Sequence, residues 1–417
     1  MLKTMENKRG KLITAIIIVA VYLFVGIAEK IAPPSWAMLF MVLKKGSIYA
    51  LIAVSMNLLN GFTGLFSLGQ AGFMLLGAYT YGIFTIPAAD RASVYQYYDG
   101  GLIQFDIPVV AALILAGLVA AGFAFLIGLP VLRLKSDYLA IATLGFAEII
   151  RAVFQWDVLG PITNGSNLLR KFPVFQSTLS YFIVVGICVA VILLLINSSY
   201  GRAFKAIRED EIAAEAMGIN LTKHKMLAFC ISSFFAGIGG ALLAMYQTSA
   251  QAAIFKSAMT YEILLIVVIG GIGSISGSVI ASFLYIACSE WWLRFLDQET
   301  ILQPQGRMTF IIVMAVIFVA LLAMMVYRLV KPKENRGRVR YGVGGGICVA
   351  VLGWLAYFSA TGQTKVPLLR SGFRMVVFSI IIMIIVLFFS RGIMGTSELP
   401  DLFKKRAKKT EAEEVAK

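Results

Sequence analysis

Apolar residues in this chain come in long blocks rather than at alternating positions. The blocks run about 17–23 residues, close to the ~20 that an α-helix needs to cross a ~30 Å hydrocarbon layer. Taken in order, they predict helices near 11–30, 38–60, 70–88, 108–130, 138–155, 178–197, 226–246, 260–272, 276–296, 308–330, 342–360 and 374–391. The period-2 alternation of a transmembrane barrel strand is missing. Lipid admits only helices and closed barrels, because those alone satisfy their own backbone. The pattern therefore predicts an all-α integral-membrane protein, a polytopic helical bundle of about 10–12 transmembrane segments. Segments 138–155 and 260–272 are the weakest of the set: each holds a carboxylate, Glu148 and Glu262, and the second is too short to span unaided.

Glycines break two of the apolar runs. Between Gly61 and Tyr79 they stand at 61, 64, 69, 72 and 77, with Ser67 and Gln70 among them. The run Gly270-Gly-Ile-Gly-Ser-Ile-Ser-Gly277 forms a counterpart later in the chain. Glycine frees the backbone from helical geometry, and broken helices at membrane depth are tolerated inside protein or beside a water-filled path. Two readings stand. Gly61, Gly64, Ser67, Gly69, Gln70, Gly270, Gly271 and Gly273 line a translocation path, or they let helices pack closely through small residues. Paired breaks are also what a transporter's internal repeat leaves in sequence.

A polar stretch from Tyr200 to Ile219 reads as one short amphipathic helix, with Ile207, Ala214 and Met217 able to share a face and Gly218 suited to a left-handed C-terminal cap. Such a helix can enter a groove on a partner or simply connect two spans in solvent; the alanine pair and the glycine favour docking. Glu148 and Arg151, three apart on one helix, can pair. An uncompensated charge at mid-bilayer costs ~2.5–3.5 kcal/mol on insertion scales, so Glu148 is a further path candidate, while Glu262 is placed at an interface.

Composition agrees with the block pattern: 59% of residues are hydrophobic and 14% charged, against about 45–50% and about 25% in a soluble globule. The net charge of +15 would suggest nucleic acid in a soluble protein. Here the basic residues sort by side instead. With the N-terminus cytoplasmic, the inside segments 1–11, 131–137, 198–225, 331–340 and the C-terminal tail hold the basic clusters. The outside loops keep only Arg91, Arg170, Lys171, Lys256, Arg307, Lys365 and Arg370. This is the positive-inside distribution, and no nucleic-acid partner is expected. Lys44-Lys45 falls inside the second block, so either the pair snorkels to the outer interface or that span begins near Gly46. A basic N-terminus precedes the run Leu12–Ile27 without a small-residue cleavage pattern, which predicts an uncleaved first span. Residues 399–417 form a charged cytoplasmic tail, disordered or frayed.

Enzyme chemistry finds no footing. The four cysteines lie in or beside apolar blocks without metal-ligand spacing, and the single histidine, His224, sits in a basic loop. Without a G-x-x-x-x-G-K-[ST] phosphate loop, the chain does not hydrolyse ATP in the usual P-loop way. No cofactor and no metal are expected.

Several of these motifs together resemble a known family. Gly61-x-x-Gly64-x-x-Ser67-Leu68-Gly69-Gln70-Ala71 with Gly77-Ala78-Tyr79 is similar to the LivM-type branched-chain amino acid permeases. So are Ser136 to Arg151, Thr163-Asn164-Gly165-Ser166-Asn167, Arg202 to Ala228, and Gly270 to Gly277. The likeness covers roughly residues 47–295. It implies an ABC importer permease in a bacterial inner membrane, with both termini cytoplasmic, carrying leucine, isoleucine and valine. It also implies a pore shared with a second homologous permease, two cytoplasmic ATP-binding subunits and an extracytoplasmic solute-binding protein. The loop 205–225 would couple to an ATPase through Arg208, Glu209, Glu211, Ala213, Ala214 and Gly218. The wider E-A-A-x-x-x-G coupling pattern is met by Ile212-Ala213-Ala214 before Gly218, with Glu211 one place early and the later Leu-Pro missing. Residues 297–372 look like two spans inserted into a permease domain of residues 1–398. Urea or short amides are the alternative substrate, and an ion-coupled secondary transporter the alternative mechanism.

Overall fold

The computed structural model describes residues 19–31, 33, 36–134 and 136–293, with a few positions beyond, notably 392–395 and 398. The chain divides into two compact units, Met1–Trp291 with Ile381–Lys417, and Trp292–Ile380. The second unit lies almost wholly outside the described residues. So do the predicted spans 308–330 and 342–360, most of 374–391, and the tail 399–417.

Within the first unit the elements are helical. Residues 19–31 form α1. Then come α2 (Ala37–Asn57), which runs into a π turn at Leu58–Phe62, α3 (Gln70–Thr85), α4 (Ala88–Val94), α5 (Val109–Val131) and α6 (Ser136–Gln155). The four-residue α7 (Gly160–Thr163) precedes α8 (Thr178–Asn197), α9 (Ser199–Glu209), α10 (Glu211–Ala216), α11 (Leu221–Gln247), α12 (Ser257–Gly270) and α13 (Ile275–Ile286). Among the described residues the sole extended pairing is one antiparallel bridge between Leu169 and Ala250.

Local chemistry sets these boundaries. Pro87 and Pro108 precede the first residues of α4 and α5, where a missing N–H costs nothing. Ser177 caps α8 by accepting from Leu179 N at 3.1 Å, and Glu29 of α1 accepts from Thr178 N at 2.6 Å. A carboxylate at a helix N-terminus meets unpaired N–H groups and the positive end of the dipole, so Glu29 fastens α1 to α8.

Five described helices are long and apolar enough to cross a membrane: Ala37–Phe62, Val109–Val131, Tyr138–Gln155, Thr178–Asn197 and Leu221–Gln247. The 23 residues of α5 reach about 34 Å at ~1.5 Å per residue. Of the five, α11 is the most enclosed and α6 the least. Leu118, Leu126, Ile141, Ile187 and Leu194 are exposed on α5, α6 and α8. Rows of large apolar side chains facing outward suit hydrocarbon, so the first unit is a multi-pass membrane bundle.

The centre is built from small residues. α11 packs on α5, α3 and α2. A β-carbon added at Gly77 of α3 would collide with the backbone of Gly237 in α11, and one at Gly240 with the carbonyl of Met74. Lipid offers no hydrophobic drive between helices, so close backbone approach supplies the contact. For Gly77, close packing is the reading the geometry favours.

Three expectations change here. α11 begins at Leu221, not 226, so His224 lies in its first turn, with Nδ1 2.8 Å from Asn220 O. α2 runs straight through Lys44-Lys45; Lys44 Nζ donates to Gln176 O at 2.7 Å, and Lys45 pairs with Glu290 at 2.6 Å. The continuous buried run of α2 starts at Gly46. Arg91, expected in an outside loop, is 1% exposed. It donates to the carbonyls of Ile83, Ile103 and Phe105, folding the 95–107 loop back over α3.

Replacing Gly77 by Ala should lower stability by about 1–3 kcal/mol, the usual cost of overpacking. The same change at Gly82, where the new carbon would meet ordinary contacts from 3.5 Å, should be close to neutral. Thermal unfolding of the two purified variants in detergent compares them, and equal shifts would contradict the close-packing account.

Candidate functional site: two helix breaks beneath one loop helix

The first break opens gradually. The last turn of α2 widens into the π turn Leu58–Phe62, and the chain stays non-helical until Gln70. Gly64 has φ +77°, a conformation that costs glycine little. Amides released this way need partners inside the protein, and nearby side chains supply them. Ser67 N donates to Asn60 Oδ1 at 3.2 Å, and Leu68 N to Thr143 Oγ1 at 3.0 Å. Gly69 N donates to Ser67 Oγ at 3.4 Å, and Ala71 N to Thr260 Oγ1 at 3.1 Å. Gln70 Nε2 donates to Ser55 Oγ at 2.7 Å.

The second break is sharper. α12 stops at Gly270, and Gly271 and Gly273 take φ values of +115° and +88°. Ser274 then caps α13, accepting from Gly277 N at 3.1 Å. The carboxylate of Glu398 accepts from Ile275 N at 2.8 Å and Ser276 N at 3.0 Å. Ile393 N and Met394 N donate to Ile269 O and Gly270 O at 2.8 and 3.2 Å. Ile393 and Met394 are thus tied to the end of α12, and Glu398 to the start of α13.

Asn57 joins the two. It is fully buried and stands one residue before the first break. Its Nδ2 donates to Ser274 O at 2.9 Å and Ser278 Oγ at 2.8 Å, with Gly271 O at 3.4 Å. Its Oδ1 accepts from Gly273 N at 2.9 Å. A side-chain amide has two N–H donors and a carbonyl acceptor, and all are used on the opposite break.

Over these breaks lies the loop between α8 and α11. The single helix expected at 200–219 is instead two. Asp210 takes an extended conformation (φ −160°, ψ 115°) and caps α10 by accepting from Ile212 N and Ala213 N at 2.8 and 3.1 Å. α10 closes at Gly218 (φ +84°), with Ile219 N donating to Ala214 O at 3.1 Å, a left-handed stop. Gly201, Phe204 and Ile207 bury one face of α9, and Ala214 is the buried residue of α10. The kink puts Met217 elsewhere: it is 83% exposed, and Ile212 is 81% exposed. Arg208 turns inward. Its Nη1 donates to Gly61 O at 3.0 Å, while Glu209 accepts from its Nε and Nη2. Lys205 Nζ stands 5.7 Å from the centroid of the Phe62 ring.

Of the path candidates, Gly61, Gly64, Gly271 and Gly273 meet around Asn57 and Arg208, with Gly270 at the end of α12. Ser67, Gly69 and Gln70 follow within the first break, buried and hydrogen-bonded as above. Glu148 is held elsewhere: it pairs with Arg151 at 2.7 Å and accepts from Ser257 N at 3.2 Å, joining α6 to the start of α12. Among the expected coupling residues, Glu209, Glu211 and Ala213 are exposed and Ala214 is buried; Glu211 pairs with Lys225 at 2.6 Å. Sequence reasoning missed Asn57, Asn60, Thr143, Thr260 and Glu398. The available signal was two amides, Asn57 and Asn60, standing in an apolar run just ahead of Gly61.

Among the described residues no group of three or more His, Cys, Asp or Glu side chains is arranged to hold a metal ion. What the arrangement can do is mechanical: one loop helix touches two deformable turns that are tied to each other.

Residues 38–325 match the protein family described as "Branched-chain amino acid transport system / permease component". The chain is 32% identical over 301 residues to the high-affinity branched-chain amino acid transport system permease protein LivM of Salmonella typhimurium. It is 33% identical over 300 residues to LivM of Escherichia coli. Each alignment covers 64% of this chain and 66% of the relative, so the chain spans just under two thirds of the length of these relatives. It is also 26% identical over 252 residues to LivH of Escherichia coli, covering 57% of this chain and 80% of that one. No solved structure matches the chain.

Asn57→Ala should strip partners from Gly273 N and from the Ser274 carbonyl, each buried group costing about 1–3 kcal/mol. Asn57→Asp keeps the acceptor and removes both donors, so it should be no better tolerated. Thermal unfolding of both variants measures this; an aspartate variant as stable as wild type would show that the donor side of the amide carries nothing.

Proposed function

Because the chain belongs to the branched-chain amino acid transport permease family, we propose that it is the permease subunit of an ATP-driven importer for leucine, isoleucine and valine. The observation that supports this most is the loop between α8 and α11. It presents Ile212 and Met217 to the outside, both more than four-fifths exposed, beside the charged Glu209, Glu211 and Glu215. Two exposed large apolar side chains on so short a loop helix give a partner something to bury, and a soluble ATP-binding subunit is the partner this reading assigns.

In this reading the loop is cytoplasmic, the N- and C-termini lie on the same side, and the membrane is a bacterial inner membrane. The basic residues Arg202, Lys205, Arg208, Lys223 and Lys225 support that sidedness. A second homologous permease completes the pore, a role for which the similarity to both LivM and LivH speaks. Two ATP-binding subunits drive it and an extracytoplasmic solute-binding protein delivers substrate. Residues 1–398 form the permease domain, and 297–372 are an insertion of two further spans.

The expected coupling residues divide by position. Glu209, Glu211 and Ala213 belong to the docking face, Ala214 seats α10 on the bundle, Gly218 closes it, and Arg208 points the other way. The two breaks, with Gly61, Gly64, Ser67, Gly69, Gln70, Gly270, Gly271 and Gly273, form the movable wall of the path, and Glu148 holds α6 against α12 beside it. The chain carries no chemistry of its own; alternating access follows from motion of the breaks.

Ile212→Glu with Met217→Glu tests the docking face, since exposed positions tolerate substitution within about 0.5 kcal/mol. The double variant should reach the membrane at wild-type levels, fail to co-purify the ATP-binding subunits, and abolish uptake of labelled leucine. Retained co-purification and uptake would remove the loop from the interface. Loss of labelled urea uptake instead of leucine would keep the architecture and move the substrate to amides.

A further inference from the structure

We propose that Arg208 is a positioning residue that carries displacement of α9 into both helix breaks at once, an inference that rests on reading the 205–225 loop as the coupling loop.

Arg208 Nη1 donates to the carbonyl of Gly61 in the π turn that ends α2. The same nitrogen lies 3.0 Å from where a β-carbon on Gly273 would stand, in the second break. The Cα, Cβ and Cγ of Arg208 fall 3.0–3.3 Å from where a β-carbon on Gly64 would be. One side chain therefore fills the space that Gly64 of the first break and Gly273 of the second leave open. A side chain at either position would compete with the arginine for that space, so these two glycines serve its access as well as the turns.

Orientation sets Arg208 apart from its neighbour. Its side chain is 29% exposed while that of Glu209 is 71% exposed, so Arg208 is the more enclosed of the pair. Glu209 accepts from the Nε and Nη2 edge of the guanidinium, leaving Nη1 for Gly61. The planar guanidinium makes this division possible, since its donors form a rigid fork. α9 itself is anchored by Gly201, Phe204 and Ile207, so a push on the loop moves Arg208 with the helix rather than bending the side chain alone.

What Arg208 touches is able to move. A π turn and positive-φ glycines are places where a helix rearranges cheaply. Asn57 then binds the first break to the second through Gly273 N and Ser274 O. Chains of packed and hydrogen-bonded contacts can carry energetic coupling between sites. Here the sequence of contacts is α9, Arg208, the Gly61 turn, Asn57, and the Gly271–Ser274 turn.

The test uses the complete importer, with its ATP-binding subunits and solute-binding protein, in proteoliposomes. Wild-type uptake of labelled leucine should require ATP; uptake without the ATP-binding subunits would overturn the coupling reading and the relay with it. Arg208→Ala should retain the ATP-binding subunits and their ATP hydrolysis, while leucine moved per ATP falls about tenfold, within the range of measured couplings between sites. Arg208→Met, which keeps the packing on Gly64 and removes the donors, should show the same fall and is the deciding variant if the alanine chain does not accumulate. Arg208→Lys, with one donor able to reach Gly61 O, should recover part of the ratio. A wild-type ratio in Arg208→Met overturns the proposal. So does loss of the ATP-binding subunits from Arg208→Ala, which would make the arginine a docking contact.

Discussion

A helix that ends inside a membrane bundle releases N–H and C=O groups that water does not reach, and the rest of this structure is arranged around meeting that demand. Asn57 meets the largest share. Its amide uses both donors and its acceptor on the Gly271–Ser278 segment, although it stands on the other broken helix. The geometry forces the two breaks to lie side by side. Once they do, a single loop helix can touch both, and Glu398 caps the helix that leaves the second.

Different parts of the bundle answer different physical requirements. At the centre, α3, α5 and α11 pack backbone against backbone through glycine and alanine, which holds helices together where hydrophobic drive is absent. The outer faces of α5, α6 and α8 carry large apolar side chains toward lipid. The breaks, by contrast, are glycine-rich, and side chains take up many of their freed amides. Rigid packing in one region and cheap backbone rearrangement in another is what a transporter with moving walls needs. The loop of α9 and α10 bridges the two regimes: its buried face is seated by Phe204, Ile207 and Ala214, and its outer face carries Ile212 and Met217.

Much of this was legible in the residues. The block at 178–197 coincides with α8 because Ser177 starts it and Asn197-Ser198-Ser199 end it, both ends being marked by side chains that compete with the backbone. The two breaks were visible because closely spaced glycines weaken a helix wherever they fall, and in an apolar run they stand out. Tertiary partners were not. Asn57 meets Gly273 across 216 residues, and nothing local distinguishes it from an amide tolerated in a helix. Asp210 reads as one more charge in a charged run, yet its carboxylate captures two amides and splits the loop helix. Arg91 reads as a solvated loop cation, yet the carbonyls of Ile83, Ile103 and Phe105 converge on it. In each case a short polar or charged side chain found a backbone partner that no periodicity announces.

Whether ATP-binding partners or an ion gradient drive the motion of this bundle is tested most directly by accumulation of labelled leucine in vesicles holding the assembled importer. With ATP supplied on the side of the α9–α10 loop and ionophores collapsing every ion gradient, accumulation should persist at its full rate. Accumulation that survives without ATP but vanishes with the ionophores would contradict the account and identify the chain as an ion-coupled transporter.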